Sequence, residues 1–277
     1  MPEISGVKVL DRLMAIFSVY SSDRDEFSEL SLSDVAEKAG IDKGTTHRLL
    51  AAAAKHNLIE QDPKSRKYRL GLRFFEFGTL AVLRFGISQA AHSLIVDLSR
   101  STGETVNLAV LSEGEALCVD KAESERPFRF PAQVGLRLPA HCTSAGKVLL
   151  TALSERELRE IVDKKGLSRR TPQTITSFDE LTRELESVRR RGYALDDEEL
   201  EIGLRCVSAP VYDQTRTVVA ALSIPAPAAR FAKSEIPARV DMLMTAADRI
   251  SQRLGYVSDA AHPPAMGDTP ARALSSK

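Results

Sequence analysis

The chain has no tryptophan and only three cysteines among its 277 residues. Cys118, Cys142 and Cys206 stand far apart with no C-x-x-C pair, so neither a disulfide framework nor a zinc knuckle is suggested and a reducing compartment is expected. No apolar run approaches the roughly 20 residues that a membrane-spanning helix needs. Residues 1–20 carry Glu3, Lys8, Asp11 and Arg12 where a secretory leader is apolar. The expectation is a cytoplasmic protein with no membrane partner. Net charge is also missing: 38 basic residues cancel 38 acidic ones, so the overall balance gives no sign of nucleic acid. There is no G-x-S-x-G elbow, no glycine-rich phosphate loop and no histidine with paired carboxylates at recognisable spacing. That argues against an enzyme and nominates no catalytic residue. His141 beside Cys142 has no further ligand at useful spacing, so no metal and no cofactor are expected.

What is present is a reversal of charge. Residues 1–42 hold four Lys or Arg against nine acids, whereas residues 43–73 hold eight against two. A basic face concentrated in one segment of a neutral chain fits a phosphate-binding surface, and on charge alone an ordinary solvated face fits equally well. The length, with 43% hydrophobic residues, suits two domains with separate cores.

The first helix, VKVLDRLMAIFSVY, places Val9, Leu13, Ile16, Phe17 and Tyr20 on one stripe. A second helix is capped by Ser31 or Ser33, buries Leu32, Val35, Ala36 and Ala39, and ends at Gly40. A third starts near Asp42 and turns Leu49, Leu50 and Ala53 inward. Two short helices joined by a glycine turn have the spacing of a helix-turn-helix. The segment NLIEQDPKSRKYRLG reads as two short strands around DPKS, a wing. LRFFEFGTLAVLRFG follows as a linker helix that needs a partner surface, because Gly78 and Gly86 weaken it as a free helix. Beyond residue 87, strands TVNLAVL and ALCVDKA, LRCVSAPVYD and TVVAALSI alternate with helices, two of them opened by the capping boxes Ser154–Glu157 and Ser177–Glu180. This describes an α+β domain. The predicted domains are a winged helix-turn-helix over 1–72, a linker helix over 73–88, a ligand domain over 89–255 and a disordered tail over 256–277.

The exposed start of the third helix offers Lys43, Gly44, Thr45, His47 and Arg48 to duplex DNA. Short side chains there let unpaired backbone N–H groups approach phosphate, and Arg48 reaches a phosphate or a guanine edge. On the wing, Lys64, Arg66, Lys67 and Arg69 suit phosphate or minor-groove contact.

LSDVAEKAGIDKGTTHRLL with Y-R-L-G, RLPAHCTSAGKVLL, and DDEELEIGLRCVSAPVYD with AALSIPAP, in that order and spacing, resemble the isocitrate lyase regulator (IclR) family of bacterial transcription factors. The resemblance covers residues 7–255. It implies a winged helix, a linker helix and a GAF-like effector domain, assembled as a homodimer or dimer of dimers on operator DNA, with a small organic acid as effector. By the same resemblance Ser144, Ala145, Asp196, Cys206 and Ser223 contact that effector. A carboxylate at Asp196 repels an anion, so a hydroxylated or hydrated ligand is expected. SIPAP departs from the family's S-x-S-G-P: Pro225 removes a hydroxyl and Ala226 replaces Gly, which favours an aromatic or branched acid over glyoxylate or pyruvate. Gly44 stands where Ser is common, and Arg216 where Gly is common in a turn. The function expected is an effector-controlled repressor. The alternatives are a modifying enzyme with a DNA-binding appendage, or a sensor that acts through partner contact alone.

Overall fold

The computed structural model describes residues 8–22, 29–78, 86–127 and 133–257, in two compact units formed by residues 1–84 and 85–277.

The first unit contains α1 (Lys8–Ser22), α2 (Leu32–Ala39), α3 (Lys43–Lys55) and an antiparallel hairpin of β1 (Ile59–Gln61) and β2 (Tyr68–Leu70). Ser31 caps α2 in a reciprocal box with Asp34. Gly40 closes the helix at φ 67°, a left-handed conformation that costs glycine little and that turns the chain into α3. Ile16, Val19, Val35, Leu50, Ala53, Ile59 and Tyr68 form the core. Two details differ from the expected stripes. Val9 is exposed and Val19 is buried instead. On α3 the buried neighbour of Leu50 and Ala53 is Thr46, whose hydroxyl donates to the Asp42 carbonyl at 3.0 Å, while Leu49 is only partly covered. Leu30 adds a short third strand by exchanging backbone hydrogen bonds with Tyr68. Gly71 ends Y-R-L-G because a Cβ there would lie 2.1 Å from the Asn57 carbonyl oxygen. Residues 73–78 are helical, and the expected linker helix lies outside the described residues from 79 to 85.

The second unit is a six-stranded antiparallel sheet in the order β5-β4-β3-β8-β7-β6, made of β3 (Val106–Ser112), β4 (Glu115–Ala122), β5 (Arg137–Pro139), β6 (Ala194–Asp197), β7 (Leu204–Tyr212) and β8 (Val218–Pro227). Its helices are α4 (Ile87–Thr102), α5 (Ser144–Leu150), α6 (Glu155–Lys165), α7 (Phe178–Arg191) and α8 (Ile236–Arg253). Both sheet faces are covered, so β7, flanked by β8 and β6, is buried over eight of its nine residues. Val207, Ala209, Val211, Leu222, Ile224 and Ala226 pack with α4 and α8. Ala109, Ala116 and Ala221 pack on the other face with Val148 and Leu149 of α5 and Val188 of α7. β3 pairs with β8 only as far as Ser223, so Pro225 and Pro227 lie where that side of β8 has no partner strand to serve. The Ser154–Glu157 box is reciprocal, whereas Ser177 only accepts from the Glu180 N–H. Arg216 holds φ 64°, the conformation that makes glycine common in such a turn. Tyr256, expected at the head of the tail, is buried and stacks on Tyr212 at 5.1 Å. Residues 258–277 lie outside the described residues.

Candidate functional site

Asp42 caps α3 by accepting the Thr45 N–H at 2.8 Å, and these backbone and side-chain bonds hold its carboxyl below the usual carboxylate range. Capping exposes Lys43, Gly44, His47 and Arg48 on one side of the helix start. Thr45 is partly covered, and its hydroxyl receives an Arg48 guanidinium N–H at 3.4 Å. One turn further on, the same exposed surface continues through Ala51, Ala52 and Lys55. The alanine side chains went unremarked in the sequence because alanine also fills cores.

The wing turn is built around Asp62, whose Oδ1 accepts from the backbone of Lys64 at 2.9 Å and Ser65 at 2.6 Å. Arg66 sits at φ 59°, and Lys64, Arg66 and Lys67 are exposed. Arg69 differs from these three. It pairs with Glu60 at 3.0 Å across the hairpin and with Glu29 at 3.3 Å, so two carboxylates offset its charge before any phosphate arrives.

The second unit gathers a polar patch on the α5 face of its sheet. Asn107, Ser223, Ser208 and Ala194 stand side by side in register across β3, β8, β7 and β6. Two residues along, Asp196, Cys206 and Pro225 form the next row. Above them Ser144 opens α5, its hydroxyl 2.8 Å from that of Ser208 with both side chains fully buried. Thr143 caps α5 by accepting the Gly146 N–H at 3.2 Å. The N–H groups of Ser144 and Ala145 precede the first helical bond. Gly146 lets this turn close: a Cβ would lie 2.2 Å from Ala140 Cα. The Cys206 thiol is reached by the hydroxyls of Ser144, Ser223 and Ser208, and burial pushes it up to about 12. The Ser223 hydroxyl donates to the Asn107 carbonyl at 3.4 Å, and Asn107 Oδ1 is buried with no hydrogen-bond partner among the described residues.

Four of the five nominated residues therefore share this patch, and Ala145 adjoins it. Ala226 faces away into the α4 and α8 core, whereas Pro225 stands opposite Cys206 on the patch side. Ser208 and Asn107 were not nominated. Ser208 was within reach, because it lies two residues after Cys206 on one strand and therefore on the same face. Lys147 and Glu199 were also missed. Lys147, fully buried on α5, donates to Glu199 Oε1 at 2.6 Å, the Leu195 carbonyl at 2.5 Å and Glu184 Oε1 at 3.2 Å. Asp196 is buried, accepts the Glu199 and Leu200 N–H groups on Oδ1 at 2.7 and 3.3 Å, and is raised to about 7, chiefly by burial. His141 Nε2 lies 3.1 Å from the Ser168 carbonyl, and burial pushes the Cys142 thiol up to about 12.

The IclR helix-turn-helix domain model matches residues 9–63, and the model of the bacterial transcriptional regulator IclR carboxy-terminal region matches residues 79–252. The chain is 35% identical over 256 residues to the HTH-type transcriptional regulator XynR of Escherichia coli, covering 92% of this chain and 99% of that one. It is 32% identical over 228 residues to the transcriptional repressor IclR of the same organism, covering 82% and 83%. Its structure resembles the Thermotoga maritima IclR, with a TM-score of 0.74 and 31% identity over 91% of this chain and 100% of that one. It also resembles an IclR homologue from Microbacterium hydrocarbonoxydans complexed with 4-hydroxybenzoate, with a TM-score of 0.78 and 26% identity over 89% and 98%. Among the described residues no helix is long and apolar enough to cross a membrane. Likeness across both units sets the enzyme alternative aside, and the chain belongs to the IclR family as a DNA-binding transcriptional regulator.

Proposed function

We propose that this regulator is a cytoplasmic repressor whose operator affinity is set by a small organic acid bound on the Ser144, Ala145, Asp196, Cys206 and Ser223 patch. The observation that carries this reading is the hydroxyl row itself. Two strand serines with Ser144 above them, a thiol and an unpartnered amide oxygen cluster beside the small apolar side chains of Ala109, Ala116, Ala194 and Ala221. Buried polar atoms are normally satisfied, so an orphan acceptor beside small side chains is what a ligand site leaves open. The homologue complexed with 4-hydroxybenzoate supports an aromatic acid, as does Pro225 in place of a hydroxyl. Lys43, Gly44, Thr45, His47 and Arg48 meet the major groove, and Lys64, Arg66 and Lys67 meet phosphate. Arg69 does so only by giving up its carboxylates. Exposed Leu72, Phe75 and Phe77 supply apolar surface for a homodimer or dimer of dimers, which places two winged helices on a two-fold operator. The test is a gel shift with the promoter region adjoining its own gene, over a salt series, with and without 4-hydroxybenzoate. A specific complex that weakens with salt, is released by the acid and loses roughly ten- to a hundredfold in affinity on Arg48→Ala is expected. A complex indifferent to salt and to Arg48→Ala sinks the DNA surface. One indifferent to a panel of small acids sinks the effector control.

A further inference from the structure

Asp196 and the cations around it do not balance. Three carboxylates, Asp196, Glu199 and Glu184, share the space under α5 with two cations, Lys147 and Arg191. The ammonium of Lys147 has three N–H donors, and all three are committed to Glu199, Glu184 and the Leu195 carbonyl. Arg191 reaches Glu184 at 2.8 Å. Neither cation is hydrogen-bonded to Asp196. Its two partners are backbone N–H groups, both on Oδ1, so Oδ2 has no hydrogen-bond partner among the described residues. The remaining titratable groups that act across this space do not supply a cation. The thiols of Cys142 and Cys206 are both raised by burial and stay neutral, and Arg170, which acts on Cys142, is itself exposed.

Resting on the effector reading above, we infer that Asp196 serves as a neutral acid whose Oδ2–H is donated to the effector's carboxylate, so that each acid anion binds together with one proton at this side chain. A buried carboxyl with no cation of its own lowers its energy by keeping the proton, and its level near 7 agrees with that. The expected repulsion between Asp196 and an anionic effector then disappears. The ligand no longer needs a hydroxyl or hydrate to approach Asp196, and the chemical class widens to simple carboxylates whose anion is matched by this one donor and by the one hydrogen that the Ser144–Ser208 hydroxyl pair leaves free.

The test is calorimetric titration of the full chain with benzoate, which has no hydroxyl and stays ionised between about pH 6 and pH 9, in buffers of different ionisation enthalpy. The expected result is uptake of close to one proton per benzoate at the alkaline end, with affinity falling by about tenfold per pH unit there. Asp196→Asn keeps a donor but cannot titrate, so it retains benzoate affinity within a fewfold and makes it flat with pH. Overturning results are a wild-type affinity independent of pH, or an Asp196→Asn chain that folds but binds benzoate nowhere in the range, which would show that an ionised acceptor is needed. The pocket reading fails differently. Cys206→Ala and Ser223→Ala would then leave acid binding unchanged, or benzoate, 4-hydroxybenzoate and pyruvate would all leave the wild-type calorimetric trace flat, and this inference falls with it.

Discussion

Two aspartates, one in each unit, make the same local bond and end in opposite states. Asp42 accepts the N–H of the residue three places on at 2.8 Å, and Asp196 does so at 2.7 Å. At the exposed start of α3 that bond, together with the Thr45 side chain, outweighs a smaller burial cost and lowers the carboxyl. Under α5 the same bond is outweighed by burial, and the carboxyl rises to about 7. Hydrogen bonding to the charged form and loss of water compete at every buried acid, and the surroundings decide between them. The contrast extends to the units. The DNA-facing unit keeps its charges in water, where they are available to phosphate, while the second unit places Lys147, Asp196 and Glu199 under cover, where a partner decides the state of each.

The strongest way to break this comparison is to delete one cation from each side. Lys147→Ala leaves the Glu199 and Glu184 carboxylates, one buried and one partly so, without their ammonium and is expected to cost about 3–5 kcal/mol in denaturant unfolding. Arg69→Ala also removes two carboxylate partners, Glu60 and Glu29, but its side chain is 53% exposed. Its unfolding midpoint should stay close to wild type, since exposed ion pairs contribute little. Equal losses in the two variants would show that burial is not what separates the units.

A smaller effect separates the aspartates by pH. The folded chain raises Asp196, so the stability it contributes is complete below the ordinary carboxylate range and is lost as pH rises through about 7. Asp196→Asn therefore gains stability over wild type at an alkaline pH of about 8 and nothing in strong acid. Asp42 is lowered, so its contribution is present above the ordinary range and lost as pH falls below it. Asp42→Ala should melt a few degrees lower at neutral pH, with the difference closing in acid. Parallel pH profiles for the two variants would refute the contrast.

What the sequence makes legible follows the same division. Caps are local, so Ser31, Asp42, Ser154 and Ser177 mark helix starts without knowledge of the fold. The proposed DNA surface is drawn from equally local information, because the cations of α3 and the wing are contiguous along the chain. β5 and β6 are three and four residues long, and what makes them strands is pairing with β4 and β7, which pattern alone does not announce. The proposed effector patch rests on the family's spacing, since Cys206, Ser208 and Ser223 look like ordinary small core residues. Lys147 is the hardest case. A lysine in the short helix SAGKVLL reads as its one solvent-facing position, and only the folded arrangement of Glu184, Glu199 and the Leu195 carbonyl reveals why it is buried.

The smallest expected effect tests the exposed side of the comparison alone. Gly44 occupies the second position of α3, and a Cβ there would stand 3.4 Å from Asp42 Oδ1, an ordinary contact. Serine, which resembling proteins commonly carry at this place, therefore fits without displacing backbone. Gly44→Ser should stabilise the helix by about 0.5 kcal/mol through propensity. It should also tighten operator binding by about two- to tenfold through one neutral hydroxyl–phosphate bond. Because a hydroxyl releases no counterion, the slope of log affinity against log salt should not change. The readout is that pair of numbers from one salt series. Tighter binding with an unchanged slope places the start of α3 against the phosphate backbone. Weaker binding would mean that the groove there admits only hydrogen, and that Gly44 is kept for close approach of the helix to the bases.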